Sequence, residues 1–219
     1  MRRWRAASIA ALAVVLAASA TYVGLRMAGK GLTRELMHPY VSAEPDIPLD
    51  EILARRGLAA HIELSLLIDK SDLTLQVLAA GETLKTYPVA LGSSSLDDKQ
   101  RRDDRLTPEG DFYICQRNLK PRSHAWDCVW MRLSYPNVED ARRGLEDGII
   151  TEEQARAIER AIAAGETPPR DTDLGSGIGI HAGGIEPRTW TQGCIALQRA
   201  HAEEIYRHTK LGTVITIRE

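Results

Sequence analysis

From His61 onward the chain reads as short apolar-rich runs, "HIELSLLIDKS", "LTLQVLAAG" and "ETLKTYPVALGS", cut by the polar clusters "KSD", "AGE" and "GSSS". Runs of this length bounded by turn residues predict consecutive antiparallel strands that begin a β domain. Further strands are expected around Phe112–Gln116, across "VWMRLSYPN" up to the stop at Pro136, at "IGIHAG" and at the terminal "TVITI". Helices interrupt the pattern. "VEDARRGLEDG" and "TEEQARAIERAIAAG" each end at glycine, and Thr151 followed by Gln154 offers a capping box. "AHAEEIYRHT" predicts one more helix, and "LDEILARRG" a short one ending at Gly57. The fold class that follows is mainly β with a few helices, and no internal repeat is visible. The charge-dense "SSLDDKQRRDDRLTPEG" between two strands reads as a solvated loop.

The first 27 residues are of another kind. A basic head, Arg2, Arg3 and Arg5, precedes an uncharged, mostly apolar run from Ala6 to Leu25, close to the length that crosses a bilayer core. A cleaved signal peptide, with "ASA" at Ala18–Ala20 as the cleavage site, and a retained membrane anchor both fit. The arginine cluster keeps the N-terminus cytoplasmic and sends the rest outward, so the body is expected to be exported to the periplasm or cell envelope. Residues 28–60, with Gly and Pro punctuation and no sustained period, read as a linker, and residues 61–219 as the folded domain. The net charge is −2, and the three leading arginines take the remainder to −5. A mildly acidic body has no electrostatic footprint for nucleic acid.

Export bears on the cysteines, of which there are three. Cys115 and Cys128 flank "QRNLKPRSHAWD", so a disulfide between them would close a short surface loop and leave Cys194 unpaired. Three reduced, buried cysteines are the other reading. Among the six histidines, His181 sits at a predicted strand end, followed by glycines and one loop from Cys194. A thiol attacks as its thiolate, so a reactive cysteine needs a neighbouring base, and His181 is the available one. The loop from Ala182 to Gly193 is long enough to bring the imidazole back to the sulfur. Gly193 permits a sharp turn and close approach of a carbonyl, and N–H groups at such a turn are natural oxyanion donors. Thr191 and Gln192 are candidates to orient the histidine or bind substrate. On the residues alone, a catalytic pair and a buried cysteine with a satisfied histidine both remain open. The chain has no HExxH pair or close His/Asp cluster, so no metal site is expected.

The segments "IHAGG…TWTQGCIAL", "TPEGDFYI" and "LSYPN" together resemble the L,D-transpeptidase catalytic domain, the YkuD type of cell-wall enzyme, over most of residues 61–219. That resemblance implies a β-sandwich or barrel with a few helices, preceded here by the N-terminal apolar segment. It further implies Cys194 as the nucleophile on peptidoglycan peptide stems, His181 as its base and acid, Gly193 as the glycine before the nucleophile, and no cofactor. Peptide stems are the implied partner, and the membrane is a second if the N-terminal segment is uncleaved. Three positions depart from the family's usual pattern: Ala182 where glycine is usual, Gln192 where many members carry histidine, and Ala196 where many carry arginine. Losing a forked guanidinium removes a charge and several directed donors. Arg188, inside the loop, is the candidate to replace it. The expected reaction is thioester formation with release of the terminal D-alanine, then transfer to an amine to make a cross-link. A hydrolytic enzyme of the same fold, an L,D-carboxypeptidase or an amidase releasing a stem-bound protein, is the alternative, and a non-catalytic wall-binding module is a further one.

Overall fold

The computed structural model describes residues 46–59, 61–119 and 129–219. The N-terminal apolar segment and Cys128 lie outside the described residues. Ile47–Glu219 forms one compact unit. It contains strands β1 (Leu64–Asp69), β2 (Thr74–Ala79), β3 (Glu82–Pro88), β4 (Leu91–Gly92), β5 (Gly110–Leu119), β6 (Val129–Leu133), β7 (Gly179–Ala182), β8 (Thr189–Thr191), β9 (Ile195–Leu197) and β10 (Val214–Arg218). Its described helices are α1 (Leu49–Arg55), α2 (Val138–Glu146), α3 (Glu152–Ala163) and α4 (Arg199–His208).

Eight strands form one sheet in the order β3-β2-β1-β10-β5-β6-β7-β9. The β2–β3 turn is made by Ala80 and Gly81, at φ of 49° and 85°. Two successive positive φ angles match the twist of a two-residue hairpin. The last strand, β10, inserts between β1 and β5 and runs parallel to β1. At the two outer edges the sheet returns on itself: Ala90, just past β3, exchanges backbone hydrogen bonds of 2.9 and 2.8 Å with Ala196 of β9. β4 then pairs in parallel with β8. This closure leaves no long free edge on that side.

Alternation along the strands separates two faces. In β6, Val129, Met131 and Leu133 point into the core with Ile114, Ile180 and Ile195, so Trp130 and Arg132 lie on the other face. α1 belongs to the compact unit, ahead of the boundary expected at residue 61. Leu49 and Leu53, one turn apart, are buried in the core, and Glu204 of α4 accepts the Leu49 N–H at 2.6 Å. The Thr151–Gln154 capping box is present, and a second, Asn137–Asp140, opens α2. Ala141, Ile150, Ala155, Ile158 and Leu174 form a separate small core under α2 and α3.

The charge-dense loop is largely exposed, with Asp97, Arg101, Arg102, Asp103 and Arg105 open to solvent as its composition suggests, but two of its contacts face inward. Lys70 is fully buried and donates to Asp97 O, Thr107 O and Glu109 Oε1 at 2.7 to 3.0 Å. Lys99, 3% exposed, donates to Arg101 O and Asp104 Oδ1. Burial alone would raise the Asp104 carboxyl. The Arg101 N–H, the Lys99 ammonium and the N–H groups of Leu106 and Gln100 outweigh it and hold the carboxyl below its ordinary value. A loop whose charges bind its own backbone is a rigid part, and it rests against the turn that carries Cys194.

Candidate active site

His181 lies on β7, with Trp130 of β6 as its register partner on one side and Ala196 of β9 on the other. Register partners share a face of the sheet, so Trp130, His181 and Ala196 form a row opposite the core. The indole of Trp130 lies nearly parallel to the imidazole, centroids 6.2 Å apart, and Trp190 meets it edge-on at 5.9 Å. A Cβ on Gly183 would lie 3.1 Å from the Trp190 ring and 3.3 Å from His181 Cε1, so glycine lets the second indole close on the histidine. Ala182, where glycine is usual in the family, is fully buried and is not among the residues of positive φ, so alanine fits without strain.

His181 Nδ1 lies 2.9 Å from Ala182 O. A carbonyl only accepts, so Nδ1 carries the proton and Nε2 presents a lone pair. Burial pushes the His181 pKa down, only partly offset by the bond to Ala182. The imidazole is therefore a neutral base at neutral pH.

The nucleophile candidate sits at the start of the adjoining strand. β7 and β9 run parallel with Ile180 beside Ile195, which places Cys194 beside Gly179 and diagonal to His181. The half-buried thiol donates to Gly177 O at 3.7 Å. Burial pushes the Cys194 thiol above its ordinary pKa, and the Gly179 N–H and the Lys99 ammonium oppose this without reversing it. The resting pair is thus a neutral thiol beside a neutral imidazole. Alkylation of Cys194 by iodoacetamide, followed by peptide mapping, is expected to be slow at pH 7 and to climb through the alkaline range. Activity should show an acid limb below the ordinary histidine value of 6.5, because the base must first lose its proton. A plateau of alkylation between pH 6 and 7 would instead mean a preformed thiolate–imidazolium pair.

Gly193 is fixed by two constraints. Its φ is +114°, and a Cβ there would lie 2.5 Å from Leu106 O and 3.0 Å from Ile178 Cδ1. Thr191, buried, accepts the Gly193 N–H on its hydroxyl at 3.1 Å and donates to Cys194 O at 2.7 Å. Thr191 therefore shapes the turn, and the Gly193 N–H is engaged by it in this resting arrangement. Gln192 is exposed beside the nucleophile. Arg188 donates to Leu73 O at 3.0 Å, which ties its guanidinium to the turn between β1 and β2. Ala196 is fully buried in the bridge with Ala90, so no guanidinium emerges at that position.

Cys115 lies on the bulge of β5 and has no disulfide partner among the described residues. Its expected partner, Cys128, lies outside the described residues. Among the described residues no group of three His, Cys, Asp or Glu side chains is placed to hold a metal, and no helix is long and apolar enough to cross a membrane. Trp130, Trp190, Lys99 and Gly177 went unmarked in the sequence. Strand alternation in "VWMRL" carried the signal for Trp130, because Val129, Met131 and Leu133 claim the core side.

A family model for the L,D-transpeptidase catalytic domain, YkuD, matches residues 64–217. Among solved structures, similarity is found to Bd1075 of Bdellovibrio bacteriovorus, at 22% identity over 73% of this chain and 49% of that one, with a TM-score of 0.46. An L,D-transpeptidase from Mycobacterium smegmatis matches at 15% identity over 72% of this chain and 59% of that one, TM-score 0.43. The helical cell shape determining protein Pgp2 from Campylobacter jejuni matches at 19% identity over 78% and 55%, TM-score 0.45. The chain spans between about half and three fifths of the length of these structures. No curated protein matches.

Proposed function

Because the chain belongs to the L,D-transpeptidase catalytic-domain family, we propose that it performs cysteine-dependent acyl transfer on peptidoglycan peptide stems, with Cys194 as nucleophile and His181 as base and acid. The observation that carries this reading is the orientation of His181. Its Nδ1 is fixed on Ala182 O, which leaves Nε2 unprotonated on the strand beside the thiol.

Sγ attacks the carbonyl of the third stem residue as its proton passes to Nε2. The tetrahedral intermediate collapses, the C–N bond breaks, and the imidazolium returns the proton to the amine of the departing D-alanine. A thioester remains on Cys194. An amine of a second stem then attacks it, giving its proton to His181, and the sulfur leaves and is reprotonated. The product is a cross-link between third residues. The N-terminal segment, as signal or anchor, would take this domain to the envelope.

A second reading is hydrolysis, with water in place of the amine. Ala196 favours it, since a guanidinium that in many members helps hold the active site or substrate is missing. Incubation of the protein with a disaccharide-tetrapeptide, followed by mass spectrometry, separates the readings. A cross-linked dimer supports transfer and a tripeptide supports hydrolysis, while an unchanged substrate would contradict both.

A further inference from the structure

Arg132 of β6 is 1% exposed, and Nε, Nη1 and Nη2 are all buried with no hydrogen-bond partner among the described residues. Arginine cannot shed its charge in a protein, so a fully buried guanidinium without an acceptor is a costly arrangement. Its surroundings do not relieve it. The groups whose charge acts on Arg132 are Arg170, a second cation, and the Cys115 thiol. Arg170 is exposed and gives one nitrogen to Gln116 Oε1 at 3.0 Å. Gln116 is the register partner of Arg132 on β5. Two arginines, one buried and one open to solvent, thus neighbour one glutamine.

The position of this pair on the sheet matters. Arg132 follows Trp130 by two residues, so it shares the face of Trp130, His181 and Cys194. Its other register partner is Gly179, over which the Trp130 indole packs, and which adjoins Cys194 where the β7–β9 register is extended by one residue. Two strand spacings, about 10 Å, separate the backbone of Arg132 from that of Cys194. The stretch "LGSGIG" from Leu174 to Gly179 links the two neighbourhoods: Ser176 Oγ donates to Arg170 O, and Gly177 O holds the Cys194 thiol proton. Attack by Cys194 requires that its proton leave Gly177 O.

We propose that Arg132 and Arg170 form a carboxylate-binding site on the catalytic face, which seats a carboxylate of the peptide stem and supplies from β6 the guanidinium that position 196 lacks. The inference rests on the acyl-transfer reading for the identity of the ligand. A stem offers two such groups near the scissile bond: the C-terminal carboxylate of its fourth residue, and the side-chain carboxylate of a diamino dicarboxylic acid at position three. A planar guanidinium pairs with either through two parallel bonds.

The test is binding to the full chain carrying Cys194→Ala, measured by calorimetry with three tetrapeptide stems: unmodified, amidated at the C-terminus, or amidated at the third side chain. One amidated stem is expected to bind about tenfold more weakly than the unmodified stem, and which one it is names the carboxylate. Adding Arg132→Gln should bring all three stems to the same affinity, with the circular dichroism spectrum unchanged. Arg170→Gln, on the exposed side, tests the site should Arg132→Gln fail to fold, and should shrink the discrimination severalfold. Equal affinities for all three stems, no binding of any, or discrimination that survives the substitutions overturns the site. Turnover by the unsubstituted enzyme is read separately. Selective binding without turnover would count against acyl transfer while the carboxylate site stands, and turnover without selectivity would do the reverse.

Discussion

His181→Ala is expected to lower kcat/KM for the tetrapeptide stem at pH 7 by about 1,000-fold, the scale of a lost general base. The size follows from the resting protonation states. Burial holds the Cys194 thiol above its ordinary pKa, and Lys99 and the Gly179 N–H do not reverse this, so the sulfur depends on a base to become a thiolate at neutral pH. In the proposed mechanism Nε2 of His181 is that base, left unprotonated because Ala182 O holds the proton on Nδ1. The same reasoning supplies a control. At pH above the thiol's own ionisation, alkylation of Cys194 in His181→Ala should match the parent, because the thiolate then forms without help. If alkylation were equally impaired at high pH, the substitution would have disturbed the position of the sulfur and not its deprotonation. Loss of the ring between Trp130 and Trp190 also leaves a cavity, and about 1 to 2 kcal/mol of stability should go with it.

Gly193→Ala is expected to cost about 2 to 6 kcal/mol and to remove activity, although it adds one methyl group. A residue with a side chain held at φ of +114° is strained by about 1 to 3 kcal/mol. The new Cβ would also lie 2.5 Å from Leu106 O, a backbone atom of the rigid loop that Lys70, Lys99 and Asp104 bind together. Overpacking against a part that does not yield adds about 1 to 3 kcal/mol. For a unit of this size the melting temperature should fall by about 10 °C. Gly184→Ala is the comparison: its φ is +90°, yet nothing lies within 4 Å of its Cβ, so only the backbone term of about 1 to 2 kcal/mol applies. Thermal melts of the two variants side by side separate strain from collision. Similar losses for both would mean that the loop gives way and that the contact with Leu106 does not hold the nucleophile's turn.

The long strands and the helices were legible because each rests on local signals: period-two alternation, glycine stops and a capping box, whereas the short β8 and β9 that frame Cys194 carry no such signal. What was not legible depends on the partners met in the folded chain. "SSLDDKQRRDDRLTPEG" has the composition of a solvated loop, and nothing in it signals that Lys99 is buried or that Asp104 collects the N–H groups of Gln100, Arg101 and Leu106. Gly193 was read as room for a substrate, whereas its missing Cβ first makes room for Leu106 O. Thr191 looked available for substrate until the fold placed both its hydrogen bonds within the turn. The short helix at "LDEILARRG" has a local signal, but its place in the compact unit does not, since the Glu204 carboxylate that accepts its first N–H lies far along the chain. Arg132 was visible in principle: in "VWMRL" it falls on the face opposite Val129, Met131 and Leu133. Which strands flank it, and that one of them brings Cys194 near, is a property of the sheet order.

The most direct test of the account is the mass of the Cys194 peptide after the enzyme is mixed with a tetrapeptide stem and quenched in acid. A thioester adduct on Cys194 equal to the stem less its terminal D-alanine, discharged by an added amine or by water and absent from Cys194→Ser, is the predicted result. Turnover of the stem by Cys194→Ser, or turnover by the parent enzyme with the acyl group found on another residue, would contradict it.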